Sequence, residues 1–165
     1  MKTVLAPLAV ALAIAAVIAS PALAQNAGQI ARVSAGHDCP GCNLFQGDFS
    51  GLEKGGLNLS GSRLRQADLS LSVMNRTRFS RTDMRDVEAY GGVFSSSNFN
   101  GANLTNASFV GAYLEGSSFV GATLVGTNFS GAQLVRATGL TQSQLSHACG
   151  DETTTLPGSL HIPSC

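Results

Sequence analysis

The chain has 165 residues, with ten Lys and Arg against ten Asp and Glu and a formal net charge of zero. Only 12% of residues are charged and tryptophan is absent. This balance supplies no bulk attraction to nucleic acid or an anionic surface, so no nucleic-acid partner is expected, and the chain is too short for more than one folded domain after its leader.

Residues 1–24 read as a signal peptide. Lys2 gives the positive start, Val4 to Ile18 the apolar core, and Ala22-Leu23-Ala24 a small-x-small cleavage site. Pro7 and that site argue against an uncleaved membrane anchor. Cleavage makes the mature chain periplasmic or secreted, with no membrane contact expected. Residues 25–41 form a leader, either a linker or a cap, with a weak apolar pattern at Ile30 and Val33.

The leader ends in His37-Asp38-Cys39-Pro40-Gly41-Cys42. Three readings compete. A redox Cys-x-x-Cys opens a helix after a strand, and no such unit surrounds this one. His37, Cys39 and Cys42 have the spacing of half a zinc site, but no second half follows. A structural disulfide between Cys39 and Cys42, or a simple pair of thiols, is the remaining reading. Asn43 after Cys42 excludes covalent haem attachment, and no other cofactor motif is visible.

Residues 42–136 repeat every five residues. The clearest run is Ala102-Asn103-Leu104-Thr105-Asn106, Ala107-Ser108-Phe109-Val110-Gly111, Ala112-Tyr113-Leu114-Glu115-Gly116. Each pentad holds a small residue, a polar or variable one, a Leu or Phe, then two turn-like residues. Counted from Leu44 to Leu134 there are nineteen pentads, and only Lys54 and Ala89 break the large apolar centre. Neither a helix nor an alternating strand has this period. A fixed short period implies a solenoid, in which each unit buries its apolar residue by stacking on its neighbours.

These pentads resemble the pentapeptide-repeat family. The resemblance implies an all-β fold, a right-handed quadrilateral parallel β-helix with four pentads per coil. Nineteen pentads then make a rod of ~23 Å at the spacing of neighbouring strands. The sequence offers its own check, because residues twenty apart must stack. One column reads Leu44, Leu64, Met84, Leu104, Leu124 and another Leu59, Phe79, Phe99, Phe119. At the two defects, Lys54 is expected to leave the interior through a bulge, with Leu52 and Leu57 filling in. Leu69 and Phe109 are expected to lean over Ala89.

Charge collects between Arg63 and Glu88, while from Ala89 to Val135 Glu115 is the only charged residue. Stacking by twenty sets Arg63 under Asp83 and aligns Asp48, Asp68 and Glu88. Surface ion pairs contribute little stability. As a recognition surface, this band makes Arg63, Arg65, Asp68, Arg85 and Glu88 the partner-binding candidates, with Arg65 beside Asp68 and Arg85 beside Glu88.

Residues 137–165 form a C-terminal cap. Thr141-Gln142-Ser143-Gln144 is a capping-box start, and a short helix is expected to end near Cys149-Gly150. In an exported protein Cys149 and Cys165 are natural disulfide partners. No nucleophile, base and orienter occur together, so no catalytic, cofactor or metal residue is assigned. The leading expectation is a non-enzymatic exported scaffold with a protein or glycan partner. Two alternatives are a DNA-mimicking topoisomerase binder, an activity that some members of the resembled family have, and a Cys-x-x-Cys redox or metal-binding protein.

Overall fold

A segment that repeats every five residues pairs with itself only at multiples of five, and here the multiple is twenty. The computed structural model describes residues 25–165, so the signal-peptide reading lies outside the described residues. Parallel bridges join Asn43 to Arg63, Arg63 to Asp83, Asp83 to Asn103 and Asn103 to Thr123. The same register runs up three further columns, from Asp48, Glu53 and Asn58. One coil is therefore four pentads, one per side. Sides 1 to 4 are numbered here by the columns that start at Asn43, Asp48, Glu53 and Asn58. Each side contributes only a single bridged residue per coil, so the sheets are ladders of isolated bridges rather than long strands.

Two hydrogen bonds fasten each side to the next coil. Leu44 N–H donates to Arg63 O at 2.8 Å, and Arg63 N–H donates to Cys42 O at 2.8 Å. The residue ending each pentad, from Gln46 to Arg136, has φ between 53 and 77°. This left-handed geometry turns the corner and favours glycine, yet Gln46, Gln66, Asp86 and Asn106 occupy it in succession between sides 1 and 2.

The interior is filled as the period requires, because the central and small residues lie two apart and face the same way. Leu44, Leu64, Phe79, Met84, Phe99 and Leu104 are fully buried. On side 4 the rings of Phe79, Phe99 and Phe119 stack at 5.1 Å spacings, with interplanar angles of 9 and 7°. Phe94 meets Phe99 edge-on at 6.2 Å. Such geometry adds to the area buried.

Both sequence defects are accommodated, and Lys54 stays outside the core with Leu57 buried, as expected. No bulge forms at Lys54. Lys54 N–H donates to Val73 O at 3.0 Å and Val73 N–H to Leu52 O at 2.8 Å, as in every other coil. Lys54 belongs to the first coil of side 3, so its side chain escapes over the open end. Its methylenes lie beside Gly36 and the residue is exposed, while Leu57 is buried and Leu52 half-buried. At Ala89 the compensation is within the pentad. Val87 holds the small position and is fully buried, so large and small exchange places.

The repeat also begins earlier than the sequence indicates. Cys39 N–H donates to Asn58 O and Gly41 N–H to Ser60 O, nineteen residues on, as a central residue and its corner do elsewhere. His37 to Gly41 is thus a pentad with Cys39 at its centre, and Cys42 is the small residue of the next. A disulfide joins them inside the wall, with Cα atoms 5.5 Å apart. Before it, helix α1 (Ala27–Ser34), capped by Asn26, buries Val33 against the first coil, and Gln29 Oε1 accepts Asn43 N–H at 2.7 Å. The start of the leader therefore caps the end with a helix, Ala27–Ser34, rather than serving as a linker.

At the other end the register holds to Thr138, which accepts from Phe119 N–H. Helix α2 is one turn, Gln142–Leu145, with the expected capping box at Thr141 and Gln144. It stops before Cys149 because His147 O and Cys149 O accept Gly126 N–H and Phe129 N–H of the last coil. Leu145 is fully buried, and Gln144 Nε2 donates to Ala122 O at 2.8 Å. Thr155 pairs with Gln133, Gly150 with Ser164, and a Cys149–Cys165 disulfide ties the terminus down.

Two measurements check this architecture. Phe99→Ala should cost about 3–5 kcal/mol in denaturant unfolding; a loss under about 1 kcal/mol would place the ring outside the core. Replacing Cys149 and Cys165 together by Ser opens a link across 16 residues. On loop entropy that loses about 3 kcal/mol, against about 2 kcal/mol for the Cys39–Cys42 pair.

Candidate interaction surface

Outward positions alternate with inward ones, so every pentad presents its second, fourth and fifth residues. Around the corner between sides 1 and 2 these positions carry most of the polar chemistry. Asp83 and Arg85 flank the buried Met84, which sets both outside on one pentad. Arg85 Nε and Nη2 donate to the two carboxylate oxygens of Asp83, each at 2.7 Å. The Arg85 hydrogen bonds hold the Asp83 carboxyl below its ordinary range, and Asp83 in turn raises Arg85. Arg65 Nε donates to Asp86 Oδ2 at 3.4 Å, and Asn106 Nδ2 to Asp86 Oδ1 at 3.3 Å. Gln46 Nε2 meets Gln66 Oε1 at 3.3 Å in the same corner column. Arg63 lies over the Phe45 ring, 4.9 Å from its centroid.

The candidates are thus neighbours, but their pairing differs from the sequence expectation. Arg65 pairs with Asp86, not Asp68, and Arg85 with Asp83, not Glu88. Asp83 is bridged to Arg63 through the backbone as stacking requires, while its side chain turns to Arg85. Sequence reasoning passed over Asp86. The signal was available, since residues 65 and 86 occupy adjoining corner positions one coil apart. Asp68 and Glu88 stay in the side 2 column with Asp48, where Ser50 hydrogen bonds lower the Asp48 carboxyl. Arg65, Asp68 and Arg85 are half-buried and Glu88 exposed.

The Cys-x-x-Cys is placed for structure. Both cysteines are buried, Ser62 Oγ donates to Cys39 O at 2.7 Å, and the pair follows a helix rather than opening one. Thiol chemistry needs an accessible sulfur at such an opening. His37 is exposed beside them. Among the described residues no three His, Cys, Asp or Glu side chains stand where they could hold a metal ion. A recess at the C-terminal end is lined by Ser130, Gly150, Asp151, Glu152, Thr153 and Cys165. Asp151 anchors that end, accepting from the Thr153 hydroxyl at 2.7 Å and from Gly131 N–H at 3.0 Å.

A ladder of single bridges at a twenty-residue register, with a small and a large residue inward per pentad, defines a four-sided parallel β-helix built of pentads. Eight copies of the family model for pentapeptide repeats match residues 56–87 and 97–134. The chain belongs to the pentapeptide-repeat family, whose members fold as right-handed quadrilateral β-helices. A pentapeptide-repeat protein from the thylakoid lumen of Arabidopsis thaliana is 31% identical over 59% of this chain and 68% of its own, with a TM-score of 0.33. HetL from Nostoc sp. strain PCC 7120, a pentapeptide-repeat protein involved in regulating heterocyst differentiation, is 19% identical with a TM-score of 0.41. That match covers 78% of this chain, which spans 60% of the length of HetL. A third, Rfr23 from the cyanobacterium Cyanothece 51142, is 19% identical over 78% of this chain and 97% of its own, with a TM-score of 0.34. No curated protein matches the chain significantly.

The carboxyl geometry predicts an acid response. Hydrogen bonds led by the Thr153 hydroxyl lower Asp151 to about 2. A depressed folded value stabilises above the unfolded value and is lost as pH falls through the folded one. The melting temperature should therefore decline between about pH 4 and pH 2. Asp151→Asn should show a shallower decline, and an equal slope in both proteins would remove Asp151 from the account.

Proposed function

We propose that this protein is an exported, non-enzymatic scaffold: a rigid rod that presents ordered side chains to a protein or glycan partner. The observation that carries the reading is the unbroken ladder from Cys39 to Thr138. It ties the inward positions above the first coil to packing and leaves the outward ones open to any chemistry. Rigidity suits recognition, since little ordering entropy is lost on binding.

Two features support export. The first twenty-four residues have signal-peptide composition, and both cysteine pairs are bonded, which fits an oxidising compartment. The charged corner between sides 1 and 2 is the proposed contact. Arginines held by aspartates there keep both donors and acceptors at fixed positions. DNA mimicry gains little support, because the stacked carboxylates Asp48, Asp68 and Glu88 are only one column and border a corner that carries Arg65 and Arg85.

Two results test this. The protein recovered from the envelope should have the mass of a chain starting at Gln25 with no alkylatable thiol; a full-length, reduced chain in the cytoplasm would overturn export. Replacing Arg65 and Arg85 together with Gln should leave folding within about 1 kcal/mol and weaken capture of the envelope partner. Unchanged capture, with loss instead on replacing Asn103 and Thr123, would move the contact to the neutral coils.

A further inference from the structure

The arginines on the far side of the rod are arranged differently from those at the corner. Side 4 presents Asn58, Arg78, Asn98, Ser118 and Thr138 in its outward column. Arg76 and Arg81 occupy the two corners of the same coil, so three exposed arginines cross one face in a row. No ion pair among the described residues engages them; the pairs formed are Arg65–Asp86, Arg85–Asp83 and Arg136–Glu115. The Asp38 carboxylate lies two coils below Arg78 and accepts Asn58 N–H at 2.8 Å.

Both flanking arginines also adopt the left-handed corner conformation, with φ 56° at Arg76 and 55° at Arg81. Glycine takes the same corner in the coil below each, at Gly56 and Gly61. The same conformation ends every pentad, with Gln46, Gln66, Leu71, Asp86, Ser96, Asn106 and Arg136 adopting it as well, so it fixes where the arginine stems leave the rod and does not by itself mark a site. The Arg81 stem lies along Gly101, and a shallow recess lined by Ser60, Gly61, Ser80 and Arg81 opens beside it.

We propose that side 4 binds an acidic polysaccharide across the Arg76–Arg78–Arg81 row. Charge complementarity carries the proposal: three exposed cations in a row, with no carboxylate in ion-pair reach among the described residues, present a surface that matches an anionic ligand. The surroundings choose among anions. Guanidinium groups bind carboxylates through paired hydrogen bonds, and polar side chains flank the row: Ser80 Oγ donates to Asn98 Oδ1 at 3.0 Å and Asn58 Oδ1 accepts Ser60 N–H at 3.2 Å, which turns the two amide groups' N–H donors to the sugar hydroxyls. The face has no aromatic ring on which a nucleobase could stack, since Tyr90 lies between sides 2 and 3 and Tyr113 on side 3. The exposed apolar side chain on this face, Val120, lies two coils above Ser80, away from the row, so the arginines and an apolar anchor do not meet as a lipid surface requires. The proposal rests on the scaffold reading but names a different face from the corner between sides 1 and 2.

The test is titration of the purified protein with a polyuronate oligosaccharide at low and high salt. Saturable binding that weakens with salt is expected. Replacing Arg76, Arg78 and Arg81 together by Gln should weaken it on the order of tenfold or more. The Arg136→Gln variant, which changes an exposed arginine outside both contacts, should bind as the natural protein does. Circular dichroism of both variants keeps folding separate from binding. No binding, equal binding by the triple variant, or tighter binding of single-stranded DNA or phosphatidylglycerol vesicles would overturn the assignment. A loss on replacing Arg65 and Arg85 by Gln, with none in the triple variant, would overturn it too and place the polysaccharide at the corner between sides 1 and 2.

Discussion

Everything in this molecule depends on the parallel register of twenty residues. Each coil hands its backbone N–H and C=O groups to the next, and only that spacing lets a five-residue period satisfy them on four sides at once. A slip by one pentad would put each side chain over a different side. It would break the ring stack of Phe79, Phe99 and Phe119 and move Lys54 from the open end into the column of Leu59. The register therefore fixes the core, the corner geometry and the outward columns together.

A ladder of this kind is complete in the middle and incomplete at its ends. The first coil has unpaired groups below it and the last has them above. The chain meets the two problems in different ways. At the start, α1 covers the opening with Val33, Gln29 accepts one edge N–H, and a disulfide closes the first pentad. At the finish, the tail abandons the period, pairs irregularly through His147, Cys149 and Thr155, and is locked by the second disulfide. Both disulfides lie where stacking neighbours are fewest, which is where a covalent link compensates most.

With packing assigned to inward positions, surface chemistry sorts by column. Carboxylates stack on side 2, paired charges occupy the corner beside side 1, and the unpaired arginines cross side 4. A chain of zero net charge thus carries an acidic column with a mixed corner beside it, and a basic row on side 4. Bulk charge says nothing about either, because the rod holds its faces apart.

The period was legible without coordinates, and so were the four sides, since Leu44, Leu64, Met84, Leu104 and Leu124 recur at twenty. Stacking was equally legible for Asp48, Asp68 and Glu88, because backbone register alone decides it. Three things were not. Cys39 was hidden as a pentad centre because a disulfide, not a leucine, fills that place. The Lys54 bulge was wrongly expected because composition does not show that the first coil has no coil beneath it. Pairing of Arg65 with Asp86 and Arg85 with Asp83 escaped because long side chains choose partners by reach across a corner. The sequence by itself determined which residues face inward, through the alternation of an extended chain. Only the tertiary structure decided which outward residues meet, because those meetings depend on the corner turns and the ends of the rod, where the period no longer constrains the side chain.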